Sequence, residues 1–224
     1  MDITFCQMEE DYDIVSATEE SQDNIVEFLR RAFYKYEPIN AAVGAPSDRP
    51  IEFIIPLHYL PEGKSLIAVS RNGRRILGFC GNEVITPNTD ENIPQLKMYT
   101  EPPYNIILEF HCKIEDSADI WKETGADRAM CIRHLGVDPA VRGRGIGRRL
   151  MEASRHLARS EGYPILYTVC TSYYSAKIAR AIGMQCVYSL PYAEYKDKDG
   201  NPVFTPSQPH TEGAVFVQKL SPEA

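Results

Sequence analysis

Glycines at 143, 145 and 147 stand among arginines at 142, 144, 148 and 149, directly after an apolar run that ends at Val137. Residues of these types at this spacing hold a phosphate. Glycine removes the side chain where a ligand oxygen must meet backbone N–H groups, and a helix starting there aims its unpaired donors and positive dipole end at the same anion. Three kinds of phosphate loop compete, and spacing separates them. A Walker A loop is excluded because no Gly-Lys-Ser/Thr follows. A dinucleotide fingerprint needs G-x-G-x-x-G, whereas the order here is G-x-G-x-G, and no acid follows near Cys170 and Thr171 to hold a ribose.

The pattern R/Q-x-x-G-x-G/A is matched by Arg142, Gly145 and Gly147, with Leu135-Gly136-Val137-Asp138-Pro139 before it. In that context the stretch resembles the pyrophosphate-binding motif of the GCN5-related N-acetyltransferases (GNAT). The resemblance implies acetyl-CoA as acyl donor, held by Leu135, Gly136, Val137, Arg142, Gly143, Arg144, Gly145, Ile146, Gly147 and Arg148, with Ser175 also near it.

The elements that must position this loop follow from periodicity. Residues 2–7 alternate as a first strand, and Ser16-Ala17-Thr18-Glu19 has the form of a capping box. Ile25, Phe28, Leu29, Ala32, Phe33 and Tyr36 recur at helical spacing, and Pro38 disfavours helix before it, so the helix is expected to end at Glu37. A loop follows beyond Asn40, then a helix start at Asp48-Arg49-Pro50, broken at Pro56. Residues 66–70 and 75–85 read as strands joined by a hairpin at Asn72-Gly73. Pro87 to Pro103 is a polar connection of the kind that covers a site.

Ile107, Phe110, Ile114, Ala118 and Trp121 mark one helix closed by Gly125. Residues 129–137 are the strand feeding the loop. Ile146, Leu150, Ser154, Leu157 and Ala158 line the next helix, which stops at Gly162; most of its arginines face solvent. A strand at 165–170, a short helix opening at Ser175 and running to Ile182, a strand at 185–195 and a last strand at 214–220 complete the chain, the final two as an antiparallel arm. The expected class is α/β (α+β), in one domain spanning 1–224: a mixed central sheet splayed at the cofactor site, with flanking helices.

The 224 residues carry 24 basic and 31 acidic side chains, a net charge of −7. Against that acidic background the basic loop is a local anion site, which argues against nucleic acid as partner. The six cysteines are scattered, without a C-x-x-C pair or a histidine at metal spacing, so a reduced interior without metal is expected. No leader-like or membrane-spanning apolar run occurs, which suggests a cytoplasmic protein that binds no membrane, with a monomer as the default.

The order of elements matches the GNAT fold over nearly the whole chain. More narrowly, Phe33-Tyr34-Lys35-Tyr36-Glu37-Pro38-Ile39-Asn40, Cys170-Thr171-Ser172-Tyr173-Tyr174-Ser175-Ala176 with Ala181-Ile182-Gly183-Met184, and Pro209-His210 resemble the insect arylalkylamine N-acetyltransferase branch. That resemblance implies Glu37 as general base. Chemistry agrees, since an ammonium must lose a proton before it attacks a thioester. The branch's C-S-S-x-x-S pattern departs here, with Thr171 in place of the first serine. Thr171 is the aligned acid for the departing thiolate, Ser175 is a catalytic-site residue that contacts substrate or cofactor, and Ser172, Ser175 or a tyrosine remain other donors; a thiol pKa of about 8.5 makes a weak acid sufficient.

Tyr36, Pro38, Ser172 and His210 fall on the substrate side, and Tyr34, Tyr173 and Tyr174 offer further ring faces to an amine. Cys170 as an acyl-carrying nucleophile would need a base that its neighbours do not supply. The expected activity is transfer from acetyl-CoA to a small arylalkylamine or related biogenic amine by direct attack. Agmatine or polyamine acetylation, a protein lysine or N-terminal acetyltransferase, and a non-catalytic CoA-binding module are the alternatives. The connection at 87–103 and the arm at 192–209 look like walls around a small pocket, which disfavours the peptide groove.

Overall fold

A computed structural model describes residues 12–45, 57–71, 75–87 and 102–221. Its strands are β1 (Tyr12–Ser16), β2 (Leu66–Ser70), β3 (Ile76–Ile85), β4 (Ala129–Val137), β5 (Ile165–Cys170), β6 (Gln185–Pro191) and β7 (Glu212–Lys219), forming one sheet in the order β1-β2-β3-β4-β5-β7-β6. Only β4 and β5 run parallel; every other neighbouring pair is antiparallel. This is the mixed α/β sheet of the GNAT fold.

Helices cover both faces. On one side α5 (Ile146–Ser160) and α6 (Tyr173–Ala181) bury Ile146, Leu150 and Ala176 against Ala68, Cys80, Met130 and Phe216. On the other, α1 (Gln22–Leu29) packs Ile25, Phe28 and Leu29 on Ile67, Ile76 and Phe79. Beside it α3 (Tyr104–Ala118) packs Phe110 and Ile114 on Val215 and Val217. Alternate residues of β2 and β3 therefore serve opposite cores, and both strands read as apolar throughout.

β4 and β5 hold register at only three pairs, Met130 with Leu166, Cys131 with Tyr167 and Ile132 with Thr168, and then separate. A bulge near Arg133, opposite the Gly81/Asn82 step of β3, marks the departure. The Asp138 N–H bonds the Leu77 carbonyl at 2.9 Å, toward β3. N–H groups alternate sides along a strand, so those of Val137 and Leu135 point the other way, into the gap left by β5.

Several expected elements are corrected. α1 does not run to Glu37: it continues through a π-helical turn, Arg30–Tyr34, and stops, and Glu37 opens a separate short helix α2 (Pro38–Ala42). That helix occupies part of the loop expected beyond Asn40. Ser16 belongs to β1, paired with Leu66, so it caps no helix. The helix through Trp121 breaks at Asp119, whose left-handed backbone (φ 39°) ends α3, while its side chain accepts from Lys122 N–H to start α4 (Ile120–Thr124). β6 ends at Pro191, and Tyr192–Glu194 form a 3₁₀ turn where strand was expected. The expected strand at 2–7, the helix at 48–56, the Asn72-Gly73 turn and most of the 87–103 connection lie outside the described residues.

Candidate active site

Glu37 owes its position to the residue after it. Pro38 occupies the first position of α2, where its fixed φ suits a helix and its missing N–H costs nothing, and it forces Glu37 into extended backbone (φ −69°, ψ 125°). The carboxylate then folds back as the helix cap, Oε2 accepting from Asn40 N–H at 2.7 Å. Oε1 accepts from the Thr171 hydroxyl at 2.6 Å, across from the end of β5. Glu37 is 8% exposed. Burial raises its pKa, and the bonds from Thr171, Asn40 and Ile39 hold the rise in check.

Thr171 is fixed in turn, because the Tyr192 hydroxyl donates to its carbonyl at 2.6 Å. Ser172, rather than Ser175, caps α6: its Oγ accepts from the N–H groups of Tyr174 and Ser175, at 3.1 and 3.4 Å. Ser175 sits inside the first turn and donates to the Ser172 carbonyl at 2.9 Å. His210 Nδ1 accepts the Tyr173 N–H at 3.1 Å, and burial lowers its pKa, so the ring is neutral and carries its proton on Nε2. Cys170 is buried and its thiol is pushed up to about 12, the wrong direction for a nucleophile.

The loop after β4 is built as its glycines suggest. Gly143 and Gly145 have φ of 82° and 78°, left-handed values that a side chain would strain, and Gly145 caps α5. The first N–H groups of α5 therefore open onto the gap between β4 and β5. Arg142 spans two sides of the site. Its Nε donates to the Val137 carbonyl and its Nη2 to the Ala32 carbonyl, each at 3.2 Å, while its guanidinium lies 4.6 Å from the Tyr36 ring centroid. Asp138, held by Arg31 and Arg75 and accepting from Ala140 N–H, pins the start of the loop to the π-helical turn after α1 and to the residue before β3.

One continuous cleft of about 1360 Å³ joins these parts. It is lined by Leu135, Gly136, Val137, Arg142, Gly143, Gly145, Ile146, Gly147 and Arg148 on the loop side, and by Tyr36, Glu37, Pro38, Thr171, Ser172, Ser175 and His210 on the other. Tyr34 and Tyr174 also face it. Arg144 and Tyr173 are not among the residues that line it. Arg148 reaches the cleft while paired to Glu152 at 2.9 Å.

The structure adds residues that sequence reasoning missed. Tyr59, Glu83, Glu115, Arg133 and His134 line the same cleft. Tyr59 hydroxyl and His134 Nδ1 are 2.9 Å apart, and burial holds the His134 pKa down to about 3. A signal existed for three of them, because Glu83 and the pair Arg133-His134 interrupt otherwise apolar strands, where charged side chains are rare unless paired. Among the described residues no group of three or more His, Cys, Asp or Glu side chains is arranged to hold a metal ion, and no helix is long and apolar enough to cross a membrane.

Residues 108–183 match the family model described as the acetyltransferase (GNAT) domain. Arylalkylamine N-acetyltransferase 2 from Aedes aegypti superposes with a TM-score of 0.87 at 24% identity, covering 94% of this chain and 100% of that one. The Drosophila melanogaster polyamine N-acetyltransferase, described as catalysing formation of N-acetylagmatine, gives 0.82 at 26% identity, with coverage of 94% and 100%. A mosquito arylalkylamine N-acetyltransferase-like protein, 5b, gives 0.84 at 23%, again covering 94% and 100%. Residues 108–183 thus match an acetyltransferase (GNAT) domain, and 94% of the chain superposes on the fold of these N-acetyltransferases.

Proposed function

We propose that this protein transfers the acetyl group of acetyl-CoA to the primary amine of a small arylalkylamine or related biogenic amine, by direct attack within a ternary complex. The observation that carries the reading is the shared cleft: a buried carboxylate and a glycine-loop anion site open into one cavity. The N–H groups at the start of α5, with Arg142 and Arg148 beside them, suit the pyrophosphate of the donor. The outward N–H groups of Leu135 and Val137 suit its pantetheine arm and thioester. The donor supplies an activated acetyl group and a tolerable thiolate leaving group.

The residues of the chain do the rest. Glu37 takes a proton from the ammonium, directly or through water, and its raised pKa makes it a stronger base than an exposed glutamate. The Val137 N–H stabilises the oxyanion as the new N–C bond forms and the C–S bond breaks. Thr171 serves as aligned acid through its bond to Glu37: its hydroxyl proton passes to the departing sulfur, Glu37 returns to it the proton taken from the ammonium, and the second proton that the nitrogen sheds as the intermediate collapses leaves to solvent. Ser172 and Ser175 act by shaping the start of α6. His210, neutral and fixed on the same turn, offers Nε2–H to the acceptor side, with the rings of Tyr36 and Tyr174 nearby.

A thiol-release assay with acetyl-CoA tests the reading, run against arylalkylamines, linear diamines and a lysine peptide. Release with the small amines is expected. Activity confined to the peptide overturns it.

A further inference from the structure

Away from Glu37, the cleft carries charge that the proposed reaction does not use. Glu83 on β3, Arg133 on β4 and Glu115 on α3 all line it. Arg133 Nε donates to Glu83 Oε2 at 2.5 Å, and its Nη1 donates to Glu115 Oε1 at 2.9 Å. One guanidinium thus serves two carboxylates. Glu83 is 2% exposed and has both oxygens engaged, the second by His58 Nε2 at 2.7 Å.

Glu115 differs. Its Oε1 also accepts from the Tyr167 hydroxyl at 3.0 Å, while among the described residues its Oε2 makes no hydrogen bond. Its side chain stays 20% exposed in the cleft. The imidazole beside it, His111, brings no balancing charge, because burial lowers its pKa. Arg133 precedes Val137 by four residues, at most about 13 Å along β4 at roughly 3.3 Å per residue. The charged cluster and the acyl-transfer edge therefore lie within the span of one small molecule.

A carboxylate with an unused oxygen in a largely apolar cleft favours a cation over any neutral neighbour. We propose that Glu115 is a specificity-determining residue, which binds a second cationic group, an ammonium or guanidinium, at the far end of the acceptor amine. Arg133 and Tyr167 share one oxygen of Glu115 and leave the other for that group. The inference rests on the amine-acetyltransferase reading and narrows it within the related biogenic amines: two-headed amines are favoured over simple arylalkylamines, whose tails are neutral.

The test compares kcat/KM for agmatine, a linear diamine and 2-phenylethylamine in the wild type and in Glu115→Gln, by thiol release from acetyl-CoA. Glu115→Gln is expected to lower kcat/KM for the two-headed amines about ten- to a hundredfold, mainly through KM, and to leave 2-phenylethylamine unaffected. Glu115→Asp, which keeps the charge, recovers part of the loss. Equal loss on all three acceptors, or no loss on the two-headed ones, overturns the proposal. Absence of wild-type transfer to any amine overturns the underlying reading instead, so the two failures are distinct.

Discussion

Replacing Thr171 by valine keeps the shape of a buried side chain and deletes the hydroxyl that donates to Glu37 at 2.6 Å. That bond stabilises the ionised carboxylate, so its loss pushes the Glu37 pKa further in the direction burial already drives it. A hydrogen bond to a charged group contributes about 1.5–3 kcal/mol. At about 1.4 kcal/mol per factor of ten, this corresponds to roughly ten- to a hundredfold less ionised Glu37 at a given pH on the acidic side. No discount for solvent applies, because both side chains are at most 9% exposed. As the proposed base, Glu37 acts in its ionised form, so kcat/KM is expected to rise with pH through its pKa, and in Thr171→Val that limb moves to higher pH, with kcat/KM on it lowered by the same roughly ten- to a hundredfold. Thr171→Ser should return it. The assay is thiol release at saturating acetyl-CoA across the pH range. A limb that stays in place, with the rate lowered equally at every pH, would refute the coupling of Thr171 to Glu37.

Two further outcomes follow from other contacts. Arg142→Ala removes the bonds to the Ala32 and Val137 carbonyls and the contact with the Tyr36 ring, so it should weaken acetyl-CoA binding by about tenfold and raise KM for the amine as well. Calorimetry measures the first and steady-state kinetics the second; an effect on acetyl-CoA alone would contradict the bridging role. Cys170, with its thiol pushed up to about 12, should carry no acetyl adduct in intact-mass spectra after incubation with acetyl-CoA, and Cys170→Ala should retain transfer. An adduct at Cys170 would contradict direct attack.

Much of this was legible in the chain because it rests on local rules. The limits of β4 and β5 fall where their apolar runs end, and the left-handed backbone at Gly143 and Gly145 follows from the glycine spacing. Glu37 is a different case. Its place before Pro38 was readable, but its burial and its bond to Thr171 arise from packing between segments 134 residues apart. The break at Asp119 was hidden because the apolar period of α3 continues across it, and only the left-handed backbone of one aspartate divides the two helices. The turn at Tyr192 was hidden for a similar reason, since its hydroxyl reaches the Thr171 carbonyl through a contact no periodicity encodes. Arg133 and Glu83 announced themselves as charges inside strands, yet Glu115 looked like any polar residue of an amphipathic helix. Its significance comes from its bond to Arg133 within the cleft.

Glu37→Gln tests the central claim most directly. Folding raises the Glu37 pKa above 4.5, so the folded state favours the protonated form. The stability contributed by that preference is full below 4.5 and is lost as pH rises through the folded value, so Glu37→Gln should cost no stability at neutral pH. Its melting temperature and acetyl-CoA affinity should therefore match the wild type. Its kcat/KM for small amines should fall by about 10²–10⁴ and lose the rising pH limb, as expected for removal of a general base. A variant that acetylates those amines at the wild-type rate with the same pH profile would contradict the account.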